Sequence, residues 1–202
     1  MTRLPRRTAL AGLLLAPAAC SLLPAGGAPP KLYSLTPAGD FPPGARVTWQ
    51  LLVEPPVSPG ALDTERIALR RSPISIDYFA DAAWVDRAPS MLQSLLVQSF
   101  ENSGRISAVA RESLSLRADY ILLVEMRHFE ADYGAGDPPT VHVQLGAKLI
   151  RMPERSIAAQ QLAEGKALAA ANQIPAIIEA FNDAFHQAAR QMVEWTLSAA
   201  HR

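Results

Sequence analysis

The chain has 202 residues, 19 of them basic and 19 acidic, with a single cysteine. An internal disulfide is excluded by that count. A nucleic-acid binder is not suggested either, because such proteins carry a basic excess. Stability must come from burial, and the length suits one domain with a real core plus a tether.

Arg3, Arg6 and Arg7 precede an apolar run from Ala9 to Ala16, with no acidic residue among them. The small residues Ala18 and Ala19 then lead into Cys20. A basic start, a short apolar stretch and a small-residue cleavage site make an export signal. The apolar run is too short for a spanning helix, which needs about 20 residues. A cysteine just after the small residues is what a lipoprotein signal presents: the thiol is acylated, the chain is cut before it, and Cys20 becomes the first residue. Pro17 stands where such a signal usually has Leu, Val or Ile. Residues 1–19 are thus read as a lipoprotein signal peptide and residues 20–30 as a lipidated N-terminus with a flexible linker. The pair Arg6-Arg7 also fits a twin-arginine signal, and a plain secreted chain with one unpaired thiol is the simpler alternative. The leader takes three arginines and no acid, leaving 16 basic against 19 acidic residues and a net charge of −3. Ser21 to Pro30 is rich in Pro and Gly, a spacer composition that cannot build a core.

Residues 31–202 are expected to form one α+β domain, an antiparallel or mixed sheet with two main helices packed on one face. Short strands are expected at Lys31–Leu35, Val47–Glu54, Ile67–Leu69 and Ile74–Phe79, with a separate extended piece at Ala83–Val85. Met91, Leu92, Leu95, Leu96 and Phe100 recur at helical spacing, so a helix is expected over 88–104, with Pro89 in its first turn and Gly104 at its stop. Gln93, Ser94, Gln98 and Glu101 then lie on the other side. Ile106 to Val109 reads as a short strand. Asp119–Glu130, Val141–Arg151 and Ser156–Ala167 read as a three-stranded antiparallel meander. Val141, Val143, Leu145, Ala147 and Leu149 face one way, and His142, Gln144 and Lys148 the other. Pro175 to Ala200 closes the chain as a helix with Ile177, Ile178, Phe181, Phe185, Ala188, Met192 and Trp195 along its apolar stripe.

Chemistry-bearing patterns are sparse. No GxSxG, nucleotide-binding glycine loop or HExxH pattern is present. His128 and His142 are expected as cross-strand neighbours, a possible metal pair. Solvated strand-face histidines are the plainer reading, and no metal or other cofactor is expected. Asp77, Asp81 and Asp86 lie near aromatic residues but read as solvated carboxylates. The aromatics Tyr78, Phe79 and Trp84 have two readings: packing under a loop, or a partner-binding surface, since aromatics are enriched at interface hot spots.

Three stretches carry a resemblance. KLYSL (31–35) follows the cysteine after a short spacer. LLVEPPVSPGALDTERIALR (51–70) contains Leu62, Asp63, Arg66 and Ile67 in a Leu-Asp-x-x-Arg-Ile pattern. YFADAAWVDRAPSMLQSLL (78–96) sets an aromatic pair and a Trp before a Leu-rich helix. In this order behind Cys20, they resemble the ABC-type transport auxiliary lipoproteins, the group that includes paraquat-inducible protein C-like lipoproteins. The resemblance implies a non-enzymatic periplasmic component, lipid-tethered through Cys20. Such a component docks on an MCE-domain protein of an ABC transport system that moves lipids, and some members form a homo-oligomer ring. It implies no nucleic-acid partner. Ser21 after the cysteine favours the outer membrane by the enteric sorting habit. Asp63, Arg66, Tyr78, Phe79 and Trp84 are the expected docking residues. The alternatives are a lipid-binding periplasmic carrier and an outer-membrane assembly lipoprotein.

Overall fold

A computed structural model describes residues 29–111 and 117–200. Eight strands form one mixed sheet, and two helices pack against it. The elements run β1 (Lys31–Tyr33), β2 (Val47–Val53), β3 (Arg66–Ser72), β4 (Ser75–Trp84), α1 (Ala88–Asn102), β5 (Ile106–Ala110), β6 (Tyr120–Asp132), β7 (Thr140–Arg151), β8 (Ser156–Leu168) and α2 (Ile174–Ala199). The expected single α+β domain with a mixed sheet and two helices is what is found.

β6, β7 and β8 form the expected antiparallel meander, with Leu122 opposite Leu149 and Leu145 opposite Ala163. Alternation decides the faces: Val141, Val143, Leu145, Ala147 and Leu149 are buried, while Lys148 is exposed. Along its other edge β6 is shared. Its start pairs in parallel with β2 (Leu51 beside Tyr120), its end with β3 (Leu69 beside Ala131), and Val57 bridges between them. β5 extends the sheet beyond β2, and β4 and then β1 extend it beyond β3.

Strand lengths differ from expectation in the first half. β3 and β4 are long, and the extended piece around Trp84 is the end of β4, not a separate element. The Ala80–Ala82 stretch has weak strand propensity, but β1 pairs with Ala82 to Trp84 and Arg66 of β3 with Ala83, so neighbours hold it extended. Gly104 takes the left-handed conformation expected of a helix stop, with φ 61°, and its N–H donates to Glu101. Gln93 does not face solvent. Its amide is buried and donates to the carbonyls of Val53 and Arg111, tying α1 to the ends of β2 and β5.

α2 is the longer helix, at 26 residues, and its apolar stripe of Ile177, Phe181, Phe185, Ala188 and Met192 is buried against β7 and β8. Among the described residues no helix is long and apolar enough to cross a membrane. Residues 34–40 are held between the helices: Ala38 N–H donates to the buried Ser99 hydroxyl, and Thr36 N–H to Asn182.

Candidate functional site

The expected docking residues fall on two sides of the core boundary. The turn before β3 sits against the start of α1. Asp63 forms an ion pair with Arg87 at 2.5 Å, and the Ala88 N–H donates to the Thr64 carbonyl. That contact satisfies one of the amide groups that a helix start leaves unpaired. The Arg66 guanidinium lies 3.8 Å from the ring centre of Tyr78, and the Tyr78 hydroxyl donates to the Ala61 carbonyl. Asp63, Arg66 and Tyr78 thus form one contiguous patch that remains partly open to solvent. Phe79 is half-buried against the core.

Trp84 departs from the expected surface. It is 1% exposed, and its ring meets Phe129 and Phe181 at centroid distances of 5.4 and 5.2 Å. The packing reading holds for it, and it offers no side-chain surface to a partner. Cys20 lies outside the described residues.

A second cluster lies on the sheet face away from the helices. The rings of His128 and His142 stack at 4.3 Å, nearly parallel at 14°. His128 Nδ1–H donates to Glu130 at 2.6 Å, and His142 Nε2–H to Glu164 at 2.7 Å. Glu130 is buried and also accepts from Arg70 and from the Phe129 N–H; Lys166 pairs with Glu164. The histidines are cross-strand neighbours as expected, but each is fixed by a carboxylate rather than simply solvated. His128, Glu130 and His142 offer donor atoms within 4.8 Å of one another. Yet parallel rings direct their in-plane lone pairs side by side, and Arg70 already neutralises the carboxylate, so convergence on a cation requires a ring to turn. Burial, and then the neighbouring His128 and Lys166 charges, push the His142 imidazole below its ordinary value, against the opposing pull of Glu164. Lys166 and then His142 hold the Glu164 carboxyl below its own.

On the same face a groove of about 610 Å³ runs between Val57, Leu123 and Leu162, floored by Gly146 and edged by Arg127 and Lys148. Sequence reasoning did not anticipate it, because Val57 arrives from a loop and reaches β6 only through the bridge to Glu125.

The family model for the ABC-type transport auxiliary lipoprotein component matches residues 33–193. The chain belongs to that family. Protein XCC0632 from Xanthomonas campestris is similar in fold and sequence. Its crystal structure superposes with a TM-score of 0.80 at 31% identity, covering 85% of this chain and 97% of that one. A second solved structure, of an uncharacterized protein, has a TM-score of 0.65 at 13% identity, covering 83% and 99% of the two chains, which is a likeness of fold alone. Protein bll6063 of Bradyrhizobium diazoefficiens is 30% identical over 179 residues; the match covers 86% of this chain and 47% of that protein, so the chain spans about half the length of this curated relative.

In this auxiliary lipoprotein family member the Leu-Asp-x-x-Arg-Ile stretch has a structural explanation. Leu62 and Ile67 are buried, while Asp63 and Arg66 hold the turn to α1 and to Tyr78. Sequence reasoning missed a further device, in which the free edge of β8 is closed by α2. Gln191 accepts from the Glu164 N–H and donates to its carbonyl, and Gln187 does the same at Lys166. The i, i+4 spacing of Gln187 and Gln191 on that helix was its one signal.

Proposed function

We propose that the protein is a non-enzymatic envelope component, anchored by acyl chains on Cys20. It docks through the Asp63–Arg66–Tyr78 patch on an MCE-domain protein of an ABC-type transport system that moves lipid between membranes. The observation that carries this reading is the family match over residues 33–193, which begins shortly after a cysteine placed as a lipoprotein signal requires. Three acyl chains bury enough CH₂ groups for stable anchoring, since each buried CH₂ contributes about 0.8 kcal/mol and two or more chains are needed. Ser21 after the cysteine supports the outer membrane as the site of anchoring. Phe79, the next residue of β4 after Tyr78, is half-buried against the core and offers a partner only the part left open.

The test is a detergent pull-down of the tagged, full-length protein, with identification of its partners and native mass spectrometry of the captured complex. Recovery of an MCE-domain protein is expected, lost on Asp63→Arg, and the mass gives the number of copies and so decides a homo-oligomer ring. Capture of an outer-membrane β-barrel instead would favour the assembly reading. A phospholipid retained by the isolated chain would favour a carrier, for which the groove beside Val57 and Leu162 is the place.

A further inference from the structure

β1 runs parallel to β4, with Lys31 beside Ala82 and Tyr33 beside Trp84. A chain entering β1 therefore comes from the direction of Ser75, where β3 turns into β4. The register carries this end across the sheet: Arg70 lies beside Asp132, Asp132 beside Thr140, and Thr140 beside Leu168. One end of the sheet thus collects the β3–β4 turn at Ile74, the start of the β6–β7 loop at Tyr133, and the end of β8. Ile74 is 97% exposed and Leu168 68% exposed. The Arg71 guanidinium lies 5.0 Å from the Tyr133 ring centre. Tight turns favour Gly, Pro, Asn, Asp and Ser, and an isoleucine this exposed adds nothing to the core. Bare apolar side chains beside an aromatic ring and an arginine make the composition of a lipid–water boundary.

We propose that this end of the sheet is a membrane contact. Ile74 inserts among the acyl chains of the bilayer that holds Cys20, with Tyr133, Arg71 and Leu168 at headgroup depth. The proposal rests on the reading of Cys20 as the anchor. The reach fits. Eight residues separate Ile74 from Ala82, about 26 Å of strand. Eleven separate Cys20 from Lys31, at most about 36–40 Å of chain. A tether of that length lets the tip meet the surface without lying slack around it. Arg70 at this end is already paired with Glu130 and has Asp132 beside it in the register, and Asp77 stands opposite Leu69, so the contact is apolar in origin and depends little on anionic lipid.

The test places an environment-sensitive fluorophore at Ile74→Cys in the acylated full chain, whose own cysteine is blocked by lipid. The chain is reconstituted in phosphatidylethanolamine–phosphatidylglycerol vesicles. The same label at Ile157→Cys, exposed at the opposite end of β8, is the reference. A blue shift with increased emission is expected at 74, quenched by nitroxide-labelled acyl chains, with no change at 157. A parallel preparation carries Cys20→Ser and an N-terminal hexahistidine in place of the leader, and is held on vesicles by nickel-chelating lipid. It reads the contact without acylation. If the N-terminal peptide proves unmodified, the anchor reading fails by itself and the tag-held protein still decides the contact. Equal, water-like emission from 74 and 157 in the vesicle-bound protein overturns the proposal.

Discussion

Trp84 owes its place to Phe129 and Phe181, which close around its ring. Trp84→Ala should cost about 3–5 kcal/mol, the range for truncating a large buried aromatic, read as a lowered melting temperature. Asp63→Ala breaks an ion pair between half-exposed groups, worth only about 0–1 kcal/mol. A docking role would therefore appear as lost partner capture at nearly unchanged stability. At His142 the folded chain binds a proton less readily than the unfolded one, because the pKa is held below the ordinary 6.5. The site's contribution to stability is then complete above that value and is lost as the pH falls from it through the lower value of the folded chain. Glu164, also lowered, loses its contribution in the same direction at more acid pH. His142→Gln should lose less melting temperature than the parent between about pH 7 and pH 5, and an equal loss would contradict this assignment. The side-chain partners were only partly legible in the sequence. Alternation placed His142 on the outer face of its strand, but nothing local separates Tyr78, stacked under Arg66, from Trp84 in the core. That difference is decided by residues far along the chain.

The edge of β8 shows how an element's chemistry is set by what crosses it. A side-chain carbon at Gly165 would lie 1.9 Å from the Ala184 carbonyl oxygen of α2. Gly165→Ala should therefore push the helix off the strand and cost about 1–3 kcal/mol or more, the usual range for overpacking, measured by denaturant unfolding. Gln187→Ala with Gln191→Ala would leave the Glu164 and Lys166 backbone groups unpaired on that edge. An open strand edge is a template for another chain, so the double variant should gain concentration-dependent association in light scattering. The helices and the β6–β7–β8 meander were legible because their apolar periods are long and unbroken. The parallel pairings of β2 with β5 and β6, and of β1 with β4, were not, since such partners are brought together by distant packing. For the same reason β3 and β4 read as shorter than they are.

For the whole molecule, a core shared by the sheet and both helices, a single cysteine upstream of β1, and membership of the auxiliary lipoprotein family are the grounds for the proposed tethered adaptor. Shortening the Ser21–Pro30 linker by half would remove about 17–18 Å of reach and leave less chain than the roughly 26 Å from Ala82 to Ile74 requires. Such a variant should stay anchored while the fluorophore at position 74 returns toward water-like emission, and unchanged burial would argue against that geometry. The adaptor account stands or falls first on the anchor. The direct measurement is the mass of the N-terminal peptide of the full-length protein recovered from membranes. The account predicts a peptide that begins at Cys20 and carries acyl chains. A peptide with a free Cys20 thiol, or one that retains the leader, would contradict it.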